Sequence, residues 1–112
     1  MHELSIAIGI VEIARKEAAK AKVDAIKVID LEIGTLSGVE IDSLNFAWPM
    51  AIEGSVLQNA EKRIHVVEAK ARCFDCGFEY DILNHFDSCP KCNSYFKDIF
   101  KGKEMRVKSI EI

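Results

Sequence analysis

From Leu4 to about Ala21, polar residues return at spacings of three and four. Ser5, Gly9, Glu12, Lys16 and Lys20 draw one wet stripe along an α-helix. The first half of that helix is otherwise apolar over a wide arc through Leu4, Ile6, Ala7, Ile8, Ile10, Val11, Ile13 and Ala14. Such an arc calls for burial against a sheet and one further element, either another helix or a subunit, so a homodimer is among the expected partners. Glu12 and Lys16 stand i,i+4 in the favourable order, a pair worth only ~0.2 to 0.5 kcal/mol.

Ala25 to Ile33 changes period. Ile29, Leu31 and Ile33 alternate with Asp30 and Glu32, the pattern of a strand wet on one side. Gly34-Thr35-Leu36-Ser37-Gly38 breaks it. Asp42 to Ala51 reads as a second helix through Leu44, Ala47, Trp48 and Ala51, which Pro49 is expected to kink or end. Two more strands follow, Arg63 to Ala71 and Glu104 to Ile112. Between them, Arg72 to Gly102 holds all four cysteines, with turn residues Gly77, Asn84, Pro90 and Asn93, and reads as an insertion. The expected fold class is therefore α+β, interrupted by a small cysteine module.

Size and charge narrow the options. A chain of 112 residues is one compact domain with a small appendage, burying roughly 65% of its unfolded surface. A net charge of −3 does not suggest a general nucleic-acid binder. The longest uncharged stretch, Ser43 to Ile52, is far shorter than the ~20 apolar residues of a spanning helix. At the amino terminus the acidic Glu3 comes first and Arg15 and Lys16 follow the apolar segment, the reverse of an export signal. The expectation is a cytoplasmic protein without membrane partners, where cysteines serve as ligands or reactive thiols.

Cys73-x2-Cys76 and Cys89-x2-Cys92 form two pairs, each able to grip one edge of a tetrahedral ion. Gly77 and Asn93 follow each pair where a knuckle needs a positive φ. Zinc is the default ion, with iron the alternative that the same ligands allow. Four thiolates close the coordination shell, so the site is read as structural and not catalytic. His85, in the loop between the pairs, is read as solvated and left out of the site. From Lys70 to Lys103 six basic residues face five acidic ones, and a loaded four-thiolate zinc site brings the module to −1. That is no phosphate-binding face. Phe74, Phe78, Tyr80 and Phe86 are expected to pack around the metal core.

The chain opens Met1-His2-Glu3. An α-amine, a backbone amide nitrogen and an imidazole this close in sequence can occupy adjacent corners of one plane, which suits Ni(II) or Cu(II). A helix of ~27 Å followed by a strand of ~30 Å returns the chain to its start. The turn after Ile33 then brings Glu40 and Asp42 near Met1 and His2. Asp42 is expected to cap the second helix, leaving Glu40 the freer candidate ligand.

These residues resemble the HypA/HybF family of hydrogenase nickel-incorporation proteins. The likeness rests on Met1-His2-Glu3-Leu4-Ser5, Glu32-Ile33-Gly34 with Val39-Glu40, Ser43-Leu44-Asn45-Phe46-Ala47, the two cysteine pairs, and Gly102-Lys103-Glu104-Met105-Arg106-Val107-Lys108-Ser109-Ile110. It implies two helices packed on a three-stranded sheet, residues 1–71 completed by 103–112, as a nickel-binding domain, with residues 72–102 inserted as a zinc-ribbon-like module. It also implies nickel ligands at Met1, His2 and Glu3, zinc at Cys73, Cys76, Cys89 and Cys92, and no enzymatic activity. The implied role is delivery of Ni2+ to the apo large subunit of [NiFe]-hydrogenase with the pathway's GTPase, HypB. The sequence departs from the family at Pro49 and Asn93. The competing reading is a zinc-ribbon protein-interaction or nucleic-acid-binding module with no nickel role.

Overall fold

The computed structural model describes residues 3–112. The elements run α1 (Glu3–Ala21), β1 (Val28–Gly34), α2 (Ile41–Ile52), β2 (Glu61–Val67), β3 (Lys70–Cys73), β4 (Glu79–Asp81), β5 (Lys97–Lys101) and β6 (Met105–Glu111). They build two three-stranded sheets, β2-β1-β6 and β4-β3-β5, in a molecule 54 Å long and 26 Å wide. The expected α+β class is observed.

The first sheet has β1 at its centre, parallel to β2 and antiparallel to β6. Its buried Ile29, Leu31 and Ile33 meet Ala7, Ile10, Ala14 and Ala18 of α1 and Leu44 and Trp48 of α2. Three alanines on the inward face of α1 let its backbone approach closely. The apolar arc at the start of α1 finds its second element in α2, although Ile8 and Ile13 remain about half exposed. Glu12 pairs with Arg15, i,i+3, and not with the expected Lys16.

A single strand over Arg63 to Ala71 does not form. Inward positions are even as far as Ile64, with Lys62 and Ile64 half-buried on the helix side, and odd from Val67 on, with Ala69, Ala71 and Cys73 buried in a second core. A strand has period two, so a change of parity means a change of sheet. The chain crosses at Glu68 and Ala69. Pro49 likewise does not end α2, which runs on to Ile52. Both Pro49 and Asn45 are exposed, so the Asn45 carbonyl that loses its i+4 donor stays within reach of water.

The two sheets are tied where three chain segments meet. Thr35 N–H donates to Val67 O, Leu36 N–H to Gly102 O, and Ala69 N–H to Thr35 Oγ1 at 3.1 Å. Leu36 itself packs against the second core, made of Ala69, Ala71, Cys73, Tyr80, Ile82 and Cys89. A segment read from sequence as a simple break is thus the joint of the molecule.

Candidate metal centres

The two cysteine pairs sit on matching knuckles. Gly77 N–H donates to Cys73 O at 2.9 Å and Asn93 N–H to Cys89 O at 2.8 Å, while Cys73 N–H donates to Phe78 O and Cys89 N–H to Ser94 O. Gly77 and Asn93 take φ of 77° and 63°, as their positions required. Each tight turn lifts its first cysteine into the core, so Cys73 and Cys89 are buried while Cys76 and Cys92 face outward. Ser94 Oγ donates to the Asp75 carboxylate and locks one knuckle to the other.

All four sulfurs lie within 4.8 Å of one another, with Cys73 to Cys92 at 3.5 Å and Cys76 to Cys89 at 3.6 Å. Thiolates 2.3 Å from a tetrahedral zinc stand about 3.8 Å apart, so the arrangement is that of a zinc site. Electrostatics agree with a cation at its centre. Burial pushes the Cys73 thiol up, but the backbone N–H groups of Cys76 and Asp75, helped by Cys92, bring it down to about 7. The Ser94 N–H favours the Cys92 thiolate, yet sharing the site with Cys73 and being desolvated push that thiol up to about 12. Four thiolates in one place need positive charge to coexist.

Only part of the expected aromatic packing is seen. Tyr80 is buried beneath the cluster and Phe78 stacks on it at 6.4 Å, whereas Phe74 and Phe86 are exposed. Among the described residues Tyr80 Oη has no hydrogen-bond partner. Burial and the thiolates of Cys89, Cys73 and Cys92 hold its pKa above the ordinary tyrosine value. Sequence reasoning did not single out this hydroxyl, since nothing in the local pattern distinguishes Tyr80 from the neighbouring rings. His85 is exposed and stands outside the cysteine cluster.

At the other end, Met1 and His2 lie outside the described residues. Glu3 opens α1, and its Oε2 accepts the backbone N–H of Glu40 at 3.2 Å. The expected return of the chain to its start is therefore observed for Glu3 and Glu40. Asp42 is not the cap of α2. That position belongs to Glu40, which makes no side-chain capping bond, and Asp42 lies within the first turn, where its charge favours the helix dipole.

Two helices over a three-stranded sheet, joined to a four-thiolate ribbon, define a small metal-binding α+β protein. A family profile described as "Hydrogenase/urease nickel incorporation, metallochaperone, hypA" matches residues 1–112, and the chain belongs to this HypA family. The hydrogenase maturation factor HypA of Parabacteroides distasonis is 46% identical over 112 residues, covering 100% of this chain and 97% of the relative. That of Azotobacter chroococcum mcd 1 is 38% identical, covering 100% and 99%. The solution structure of the Ni metallochaperone HypA from Helicobacter pylori superposes with a TM-score of 0.72 at 26% identity, covering 100% of this chain and 97% of that one. The family is one of maturation metallochaperones, not catalysts. No described helix is long and apolar enough to cross a membrane.

Proposed function

We propose that this chain binds Ni2+ as cargo at its amino terminus, through Met1, His2 and Glu3 with Glu40 within reach. It passes the ion, in the cytoplasm and together with the GTPase HypB, to the apo large subunit of [NiFe]-hydrogenase. The unit of α1, α2 and the β2-β1-β6 sheet carries the nickel function, and the inserted β4-β3-β5 module, entered at Ala69, holds a structural Zn2+ on Cys73, Cys76, Cys89 and Cys92. Membership of the family supports the reading, and one contact carries it: the Glu3 carboxylate on the Glu40 backbone. That bond moors the first turn of α1 against the start of α2, giving the residues before it a fixed base. A site at a chain end can surrender its ligands one at a time, as transfer requires. Closed thiolate coordination suits the opposite task of holding an ion permanently.

Calorimetric Ni2+ titration of untagged protein with a native Met1, alongside His2→Ala, tests the proposal. The expected result is one nickel site that disappears in His2→Ala, with the tightly held zinc unchanged in both. Equal nickel affinity in the two proteins overturns it and leaves a zinc-ribbon interaction module.

A further inference from the structure

The four cysteines are not equivalent. Each Cys-x2-Cys turn buries its first sulfur and exposes its second, so Cys73 and Cys89 lie in the second core while Cys76 and Cys92 face solvent. The two turns meet head to tail. Exposed Cys92 stands 3.5 Å from buried Cys73, and exposed Cys76 stands 3.6 Å from buried Cys89. Each exposed sulfur thus has a shielded sulfur of the opposite turn in contact with it. A disulfide is about 2.05 Å long, so either pair closes by a movement of roughly 1.5 Å.

Cysteines that hold an ion are thiolates, the form that oxidants attack. Resting on the structural-zinc reading proposed above, we infer that the module responds to hydrogen peroxide by exchanging its ion for two bridges between the turns, Cys73 with Cys92 and Cys76 with Cys89. Peroxide meets Cys76 or Cys92 first, because these are the exposed sulfurs. The thiolate attacks one peroxide oxygen, the O–O bond breaks, and a sulfenic acid and a hydroxide result. The facing buried thiolate then attacks the sulfenic sulfur, the S–O bond breaks, and a second hydroxide leaves as the disulfide forms. Each bridge consumes two thiolates and one peroxide, with sulfur oxidised and peroxide oxygen reduced to hydroxide. Two bridges leave no thiolate to hold the ion. Bridges within a turn would join what the Gly77 N–H to Cys73 O and Asn93 N–H to Cys89 O bonds already join, and would leave the turns unlinked as the ion departs. Bridges across the gap instead tie residues 19 and 13 positions apart, a constraint that stabilises the fold, and they keep Cys73 and Cys89 in the core. A buried partner already in contact also captures the sulfenic acid before a second peroxide can carry it to sulfinic acid.

The test treats the full chain with about two equivalents of hydrogen peroxide. Zinc content measured before the oxidant judges the structural-zinc reading, and the bridges formed afterwards judge the exchange, so the two can fail separately. Expected are release of the ion to a chromophoric chelator and, by peptide mass spectrometry after thiol blocking, bridges joining Cys73 to Cys92 and Cys76 to Cys89. Dithiothreitol followed by zinc should restore the starting protein. Amide-exchange protection at Ala71 and Tyr80 should stay within about tenfold of the untreated protein in the bridged form, because the turns remain linked, and should fall much further when the ion is stripped from reduced protein. Cys92→Ser lacks one partner, so peroxide should join Cys76 to Cys89 and leave Cys73 a free thiol, a result that mass reads whatever the variant's zinc affinity. Bridges within the turns, sulfinic acid at Cys76 or Cys92 in place of bridges, or an ion retained after the peroxide has reacted overturn the inference. So does loss of protection in the bridged form equal to that caused by stripping.

Discussion

A Cβ atom on Gly34 would stand 2.1 Å from the carbonyl oxygen of Gly102. Gly102 is equally confined, since its own Cβ would lie 2.3 Å from the Ala69 Cα, and its φ is 95°. These two glycines allow the end of β1, the exit from β5 and the crossing at Ala69 to touch backbone to backbone. That contact is what permits one sheet to be hung from the other.

Gly102→Ala should therefore destabilise the protein by about 3 kcal/mol or more, combining overpacking against backbone with a disfavoured φ. Gly9→Ala is the contrast, because nothing lies within 4 Å of a Cβ there and α1 continues on both sides. It should stabilise by roughly 0.5 to 1 kcal/mol. Urea titrations of the two variants followed by circular dichroism should move in opposite directions. A neutral Gly102→Ala would mean that the joint is loose.

The joint also marks what a sequence can and cannot disclose. Cysteine spacing and the two positive-φ positions at Gly77 and Asn93 are local chemistry, and local chemistry is legible. So are the helix stripe of α1 and the alternation of β1. Leu36 is different: two residues from Gly34 on one side and from Gly38 on the other, it reads as a loop, and only tertiary contact shows it seated on the second core. The parity change between Ile64 and Ala69 was present in the sequence, but a run of β-branched and small residues conceals where one strand stops. The Glu3 to Glu40 approach followed from length arithmetic alone, whereas the identity of the bonded atoms did not.

Removing the metal should act on one end of the molecule. The second core is made of two cysteines with only Ala69, Ala71, Tyr80 and Ile82 around them, while Trp48 belongs to the first core. Chelation is expected to cut amide-exchange protection at Ala71, Cys73 and Tyr80 on the order of a hundredfold or more. Trp48 fluorescence should change little. A Trp48 transition coincident with loss of the metal would show instead that the two cores fold as one unit.

Asp30 links stability to acid. Its carboxylate accepts His65 Nε2–H at 2.8 Å and Ser109 Oγ–H at 3.0 Å on the open face of the first sheet, with Arg63 nearby. The hydrogen bond from His65, supported by Ser109 and Arg63, holds its pKa below the ordinary aspartate value. A carboxyl depressed in the folded state contributes stability above its unfolded pKa and loses it as pH falls through the folded one. Urea midpoints should thus decline below pH of about 4, and Asp30→Asn should flatten that decline while lowering the midpoint at neutral pH. Identical acid limbs in the two proteins would assign the loss to other carboxylates.

Pro49 offers the last test, because α2 runs on past it to Ile52. The turn of the helix just before the proline, whose Asn45 carbonyl lacks a donor, is held by Lys62, whose Nζ donates to Asn45 Oδ1 and lies 5.0 Å from the centre of the Trp48 ring. Pro49→Ala restores an N–H to the Asn45 carbonyl at an exposed position and should stabilise the protein by about 1 to 3 kcal/mol. With the helix ladder mended, the strap becomes less necessary, so Lys62→Ala should cost less in the Pro49→Ala background than in the native chain. A double-mutant cycle measured by urea unfolding reads that difference directly. Equal costs in both backgrounds would show that Lys62 braces β2 against α2 without regard to the proline.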